Sequence, residues 1–142
     1  MVIDHVNAKD QFSFLIFFKS NSEIEKHLIF ATHIFKMNQV IYNVTVSVDP
    51  NVHAEWLNWM REVHIPDVLA TGLFLSNRIL RVHGHEENGM TYAIQYVLAS
   101  RAMLDQYFLE HAPRLQAEHV ARYGNKAVAF RTILEVLNET KC

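Results

Sequence analysis

The chain is poor in the residues that staple, break or charge a protein. It has one cysteine, Cys142, and that is its last residue. No intrachain disulfide and no zinc–thiolate cluster follows from it. Four glycines and three prolines exclude a collagen-like or linker-rich chain. Charge is sparse and balanced, with 13 Lys and Arg against 15 Asp and Glu, a formal charge of −2. Such a chain lacks the basic field that draws nucleic acid or an anionic membrane, and neither is expected as a partner. The apolar run Phe12–Phe18 is seven residues long including Ser13, far short of the roughly 20 that span a bilayer. Asp4 and Asp10 precede it and Lys19 follows, the reverse of a secretion signal. A reducing, cytoplasmic setting is the expectation. No glycine-rich phosphate loop and no nucleophile elbow occur. The basic and aromatic strand pattern of RNA-binding sheets is missing as well.

What remains is a chain of 142 residues and 16.5 kDa, half of it hydrophobic, enough for one domain with a real core. Residues 1–36 read as an extension. A helix there starts at Ser22 with Glu25 at capping-box spacing and carries Leu28, Ile29, Phe30, Ile34 and Phe35. This stretch is expected to be a docking arm, a disordered segment or the product of an upstream start codon, with Met37 the alternative start. Regular pattern begins at Val40. Val40, Tyr42, Val44, Val46 and Val48 alternate with Ile41, Asn43, Thr45 and Ser47, the period of a strand. Asp49-Pro50 then reads as a helix cap and first-turn proline. His53, Trp56, Leu57, Met60, Val63 and His64 share a helical face. Pro66 breaks or kinks that helix, and Thr71-Gly72 ends it. Leu73–His83 and Met90–Leu98 read as two strands around a polar hairpin over 84–89. Ser100 caps a second helix, with Met103, Leu104, Tyr107, Phe108 and His111 on its stripe. Pro113 interrupts it, Leu115–Tyr123 continues at another angle, and Gly124-Asn125 closes it. Ala127–Leu137 is a fourth strand, with Val128, Phe130, Thr132, Leu134 and Val136 read as its core face.

The order β-α-β-β-α-β predicts an α+β, ferredoxin-like fold over 37–138 with a tail at 139–142. Right-handed crossovers put both helices on one face of a four-stranded antiparallel sheet. Strands one and three are central and two and four are edges. The other face is left open, and a second copy related by a two-fold axis is the economical cover. The expectation is a homodimeric α+β barrel with a space between the two sheets.

Several stretches carry a resemblance: Tyr42-Asn43-Val44-Thr45-Val46, Trp56-Leu57-Asn58-Trp59-Met60, His64-Ile65-Pro66 and Ala70-Thr71-Gly72-Leu73-Phe74. Thr91-Tyr92-Ala93-Ile94-Gln95-Tyr96, His111-Ala112-Pro113-Arg114-Leu115, His119 and Phe130-Arg131-Thr132 join them. Together, over about Met37–Leu137, they resemble a small bacterial family, one of the domains of unknown function. The resemblance implies the dimeric α+β barrel group, which includes small monooxygenases, isomerases, decarboxylases and haem-degrading enzymes. It implies no particular reaction.

Nine histidines are many for this length. His64, near the end of the first helix, reads as a general acid or base near a cavity mouth, or as an imidazole capping the helix dipole. His111, Arg114 and His119 bracket Pro113 and read as an anion-binding group or as local contacts that hold the kink. His83 and His85 lie on one side of the hairpin beside Glu86 and Glu87, with no third ligand set by spacing. No metal and no cofactor is predicted. On the open sheet face, strand parity places Asn43 and Gln95, with Arg78 and Arg131 beside them. Amides and guanidinium groups in a partly apolar shell suit a small polar–apolar ligand, with His64 and Arg131 as the catalytic pair. The same groups equally suit the stitching of a dimer. Trp56 reads as core, and Trp59 as core or as cavity lining. Two functions stand at this point. One is a homodimeric small-molecule site with cofactor-free acid–base or monooxygenase-like chemistry. The other is a non-catalytic structural or regulatory dimerisation module.

Overall fold

The computed structural model describes residues 21–84, 89–140 and 142, without the side chains of Asn21 and 32–37. The apolar run at 12–18 and the hairpin tip with His85, Glu86 and Glu87 lie outside the described residues. The chain divides into two units, with the boundary after Phe35. The first is described by helix α1 (Asn21–Met37). Ser22 lies within this helix, where the capping-box reading had put its start. Leu28, Ile29 and Phe30 are exposed on it. No described helix is long and apolar enough to cross a membrane.

The second unit runs β1 (Val40–Val48), α2 (His53–Trp59), a π-helical turn (Met60–His64), α3 (Ile65–Leu69), β2 (Ser76–Val82), β3 (Met90–Leu98), α4 (Arg101–Glu110), α5 (Ala112–Tyr123) and β4 (Ala127–Glu135). The sheet order is β2-β3-β1-β4, every neighbour antiparallel. This is the ferredoxin-like arrangement. β1 and β3 are central because each crossover returns its strand beside the one already laid down.

Local chemistry explains most of the boundaries. The Ser100 side chain accepts from the backbone N–H of Met103 at 3.4 Å and caps α4. Pro113 sits in the first turn of α5, where a missing N–H costs nothing. Gly72 ends α3 with φ +77. The Asp49-Pro50 reading needs correction. Asp49 Oδ1 accepts from the backbone N–H of Asn51 at 2.7 Å, an Asx turn, and the helix begins only at His53. β2 is shorter than expected: Leu73 and Phe74 pack on the core ahead of it.

The first helical arm widens into a π turn just before its proline. Pro66 has no N–H to give back to the preceding turn, and the backbone N–H of Ile65 reaches Met60, five residues back. The π turn inserts one residue into the inward stripe. Trp56, Met60, Ile65 and Val68 are buried in sequence, while Val63, expected on that stripe, is exposed. His64, expected on the same stripe, does face inward and is half-buried beside Met60.

The core lies between this arm, α4–α5 and one sheet face. Trp56, Ile94, Leu98, Leu104, Leu115, Val46, Val48 and Val68 are its fully buried side chains, each contributing about 1.5–3 kcal/mol by leaving water. An aromatic block sits at one end. Tyr42 meets the edge of Phe108 at 5.3 Å, and Phe74 meets the edge of Tyr107 at 4.9 Å between ring centroids.

The fourth strand faces opposite to the sequence reading. Val44 pairs with Arg131 and Val46 with Ala129, so Ala129, Arg131 and Ile133 share the helix-covered side with the core valines. Val128, Phe130, Thr132 and Leu134 point to the open side, where Val128 and Phe130 are more than 60% exposed. The apolar alternation was real, but it belongs to the open face.

Candidate functional site

A small cavity of about 40 Å³ opens between the helices and the sheet within a single copy of the chain. Sequence reading had put the enclosed space between two sheets. Its polar groups come from six elements: Tyr42 from β1, His64 from the π turn, Tyr96 from β3, Tyr107 from α4, Gln116 and His119 from α5, and Arg131 from β4. Val44, Val46, Val68, Ile94 and Ala129 supply apolar wall.

The two histidines lie 5.9 Å apart between ring centroids. His119 is 8% exposed, and its Nε2 accepts from the indole N–H of Trp56 at 2.9 Å. Burial, then the neighbouring His64 and Arg131, lower its pKa to about 4. His64 stacks on Trp59 at 4.9 Å, and its Nδ1 is buried with no hydrogen-bond partner. Burial lowers its pKa too, opposed by Glu118 and Asp67 and assisted by Arg114. Both imidazoles are therefore neutral at neutral pH. Burial pushes the Tyr42 phenol up despite the opposing Arg131 and Gln116 beside it, and pushes Tyr107 up as well. The phenols are donors, not phenolates.

Of the residues singled out by sequence, His64, His119 and Arg131 come together here. Arg131 arrives from the helix-covered side, a correction to its expected place on the open face. It is exposed at the cavity edge. Trp59 backs the two histidines from outside the cavity, with its ring also against Tyr123 and under the Arg122 guanidinium at 5.4 Å. His111 and Arg114 do not reach the site. His111 lies 3.6 Å from Glu110 at the junction of α4 and α5, and Arg114 is paired with Glu118 on the surface. Gln116, Tyr42 and Tyr107 were missed. Gln116 is four residues from Ala112 and three from His119, a polar side chain on a buried helical face, and that spacing was a usable signal.

Asn43, Gln95 and Arg78 lie on the open face, as parity indicates, and they form one row. Arg78 Nε donates to Gln95 Oε1 at 2.7 Å, and Gln95 Nε2 donates to Asn43 Oδ1 at 3.3 Å. Asn43 Nδ2 donates to Thr132 Oγ1 at 3.1 Å. The register pairs these four residues across all four strands. Val128, Phe130, Leu80, Val82 and Leu134 surround the row as exposed apolar groups.

Among the described residues, no cluster of three or more His, Cys, Asp or Glu is arranged to hold a metal ion. Comparison with solved structures finds the same fold at low identity. A dimeric ferredoxin-like protein from an uncultured marine organism is 11% identical, covering 72% of this chain and 98% of its own, with TM-score 0.54. An ethyl tert-butyl ether d (ethd) family protein from Bacillus halodurans is 10% identical, covering 68% and 97%, with TM-score 0.53. SnoaB from Streptomyces nogalater, a cofactor-independent oxygenase, is 12% identical, covering 72% and 96%, with TM-score 0.52. No curated protein matches the chain in sequence. The family match spans residues 39–137, the whole sheet with its helices and therefore every residue of the cavity, and on that span the chain belongs to the domain of unknown function family DUF4286.

Proposed function

We propose that the protein is a homodimeric small-molecule-binding domain whose ligand sits under the helices of each copy, where it undergoes cofactor-free acid–base chemistry. The observation that carries this reading is the buried, unpartnered Nδ1 of His64 beside a cavity shared with His119 and Arg131. A buried polar atom without a partner costs about 1–3 kcal/mol, and a bound molecule that supplies the partner recovers it. Neutral His64 is competent to take a proton from a weak acid at neutral pH, and the anion so formed is stabilised by the guanidinium of Arg131. The oxygenase-like form of this chemistry adds dioxygen as co-reactant to that anion. The likeness to a cofactor-independent oxygenase supports it at the level of fold alone.

The two copies pair through their open sheet faces. Exposed Phe130 and Val128 favour cover by a second sheet, and the marine structural relative is itself described as dimeric. The alternative, a dimerisation module without chemistry, draws on the Arg78–Gln95–Asn43–Thr132 row, which satisfies its own hydrogen bonds and gives the face a fixed polar pattern for pairing.

A fragment screen on isotope-labelled full-length protein separates the two. Hits that move the imidazole signals of His64 and His119, and that are lost in His64→Gln while the fold is kept, support the site. A screen whose hits move only open-face residues, or none at all, leaves the dimerisation module.

A further inference from the structure

The cavity carries a cation at its edge, and no carboxylate in its lining balances it. Arg131 lines the cavity, while every other polar group there is a tyrosine, a histidine or Gln116, and all of these are neutral at neutral pH. No aspartate or glutamate contributes to the lining. Arg131 makes no ion pair with a carboxylate among the described residues. By contrast Arg101, Arg114 and Arg122 are each engaged by one, Asp105, Glu118 and Glu55 respectively. Glu118 and Asp67, the carboxylates that reach His64 electrostatically, are both exposed outside the cavity. The site therefore has a net positive field that its own residues leave uncompensated.

The shape narrows the class. A guanidinium presents paired N–H groups that match the two oxygens of a carboxylate. A space of about 40 Å³ holds about three water-sized groups. The remaining wall is aliphatic, which suits a short carbon chain. We infer that the ligand of this site is a small organic carboxylate of two or three carbons, its carboxylate on Arg131 at the cavity edge and its chain among the valines beside His64. This inference rests on the small-molecule reading above and deepens it. The flexible Met60 side chain in the wall is the group that yields to a longer chain.

The test is a titration of the full-length protein with acetate and propionate, with acetamide and propionamide as neutral controls of the same shape, and with sulfate as a generic anion. The readout is the NMR signals of the His64 and His119 imidazoles. Acetate and propionate are expected to shift both signals saturably and the amides not to. Arg131→Gln is expected to weaken carboxylate binding at least tenfold, and Arg131→Lys to weaken it less, in variants whose melting confirms the fold. Amides that bind as well as the acids would overturn the carboxylate assignment and leave the small-molecule site standing. Sulfate matching propionate would overturn it in favour of a generic anion site. Carboxylates that move only signals outside the cavity, or none, would overturn the assignment as well. The fragment screen then decides separately whether the site itself survives.

Discussion

The indole N–H of Trp56 donates to Nε2 of His119 at 2.9 Å, and this contact settles the protonation of the imidazole. An indole nitrogen only donates, so Nε2 must accept and the ring proton resides on Nδ1. His119 is held as a neutral donor on its other side, while His64, 5.9 Å away, keeps an unpartnered Nδ1. Two like residues thus have different hydrogen-bonding states because one has an indole behind it.

Trp56→Phe removes that donor. Imidazole ¹⁵N shifts should show His119 changing from the single Nδ1–H form to a mixture of tautomers. The loss of a buried bond and of indole volume should cost about 2–4 kcal/mol in urea unfolding. An unchanged tautomer in a folded variant would show that something other than Trp56 sets it.

Acid should destabilise the domain through the same histidine. An unfolded imidazole titrates near 6.5, whereas His119 in the fold titrates at about 4. Between those values the unfolded chain holds more protons, so stability present above about pH 6.5 is lost as the pH falls toward 4. The loss amounts to about 3 kcal/mol for His119. His64, also lowered, acts in the same direction. Urea midpoints taken at pH 7, 5.5 and 4.5 check this, and His119→Gln, which can still accept from Trp56, should flatten the slope. Parallel slopes for the two proteins would refute the assignment to His119.

His64→Leu should stabilise the unliganded protein by about 1 kcal/mol, because an apolar side chain replaces a buried polar atom with no partner. The same variant should lose ligand-dependent shifts altogether. Chemical denaturation without ligand is the measurement. A clear loss of stability would mean that water already satisfies Nδ1.

Phe130→Asp puts a charge into the middle of the exposed apolar patch on the open sheet. Sedimentation should show the wild type as a dimer and this variant as a monomer, with the imidazole signals of His64 and His119 unmoved. A variant that stays dimeric would exclude pairing through that face.

Strand periodicity made β1 and β3 readable to the residue, because both are central strands with one strictly apolar face. The fourth strand misled for a physical reason. Its apolar positions, Val128, Phe130 and Leu134, point to the open face, and its core side carries Ala129 and Arg131. Period-two alternation tells which residues share a face but not which face is buried. The one-residue gain in the first helix was equally invisible. A 3.6-residue period put both Val63 and His64 inward with Met60, and only the missing N–H of Pro66 hinted at the π turn, after which His64 faces in while Val63 is exposed. Tyr42 and Tyr107 look like ordinary core aromatics in a linear sequence. Their second role shows only when the helices close over the sheet.

The surplus residue in that π turn means the first helical arm has two ways to count. Deleting Val63 would let the arm relax to plain α geometry, with Ile65 four and Val68 seven residues after Met60 and so still on its face. Ile65 and Val68 would keep their seats in the core only by surrendering the wide turn beside the cavity. The seat of His64 at the cavity is therefore set by backbone arithmetic as much as by side-chain identity.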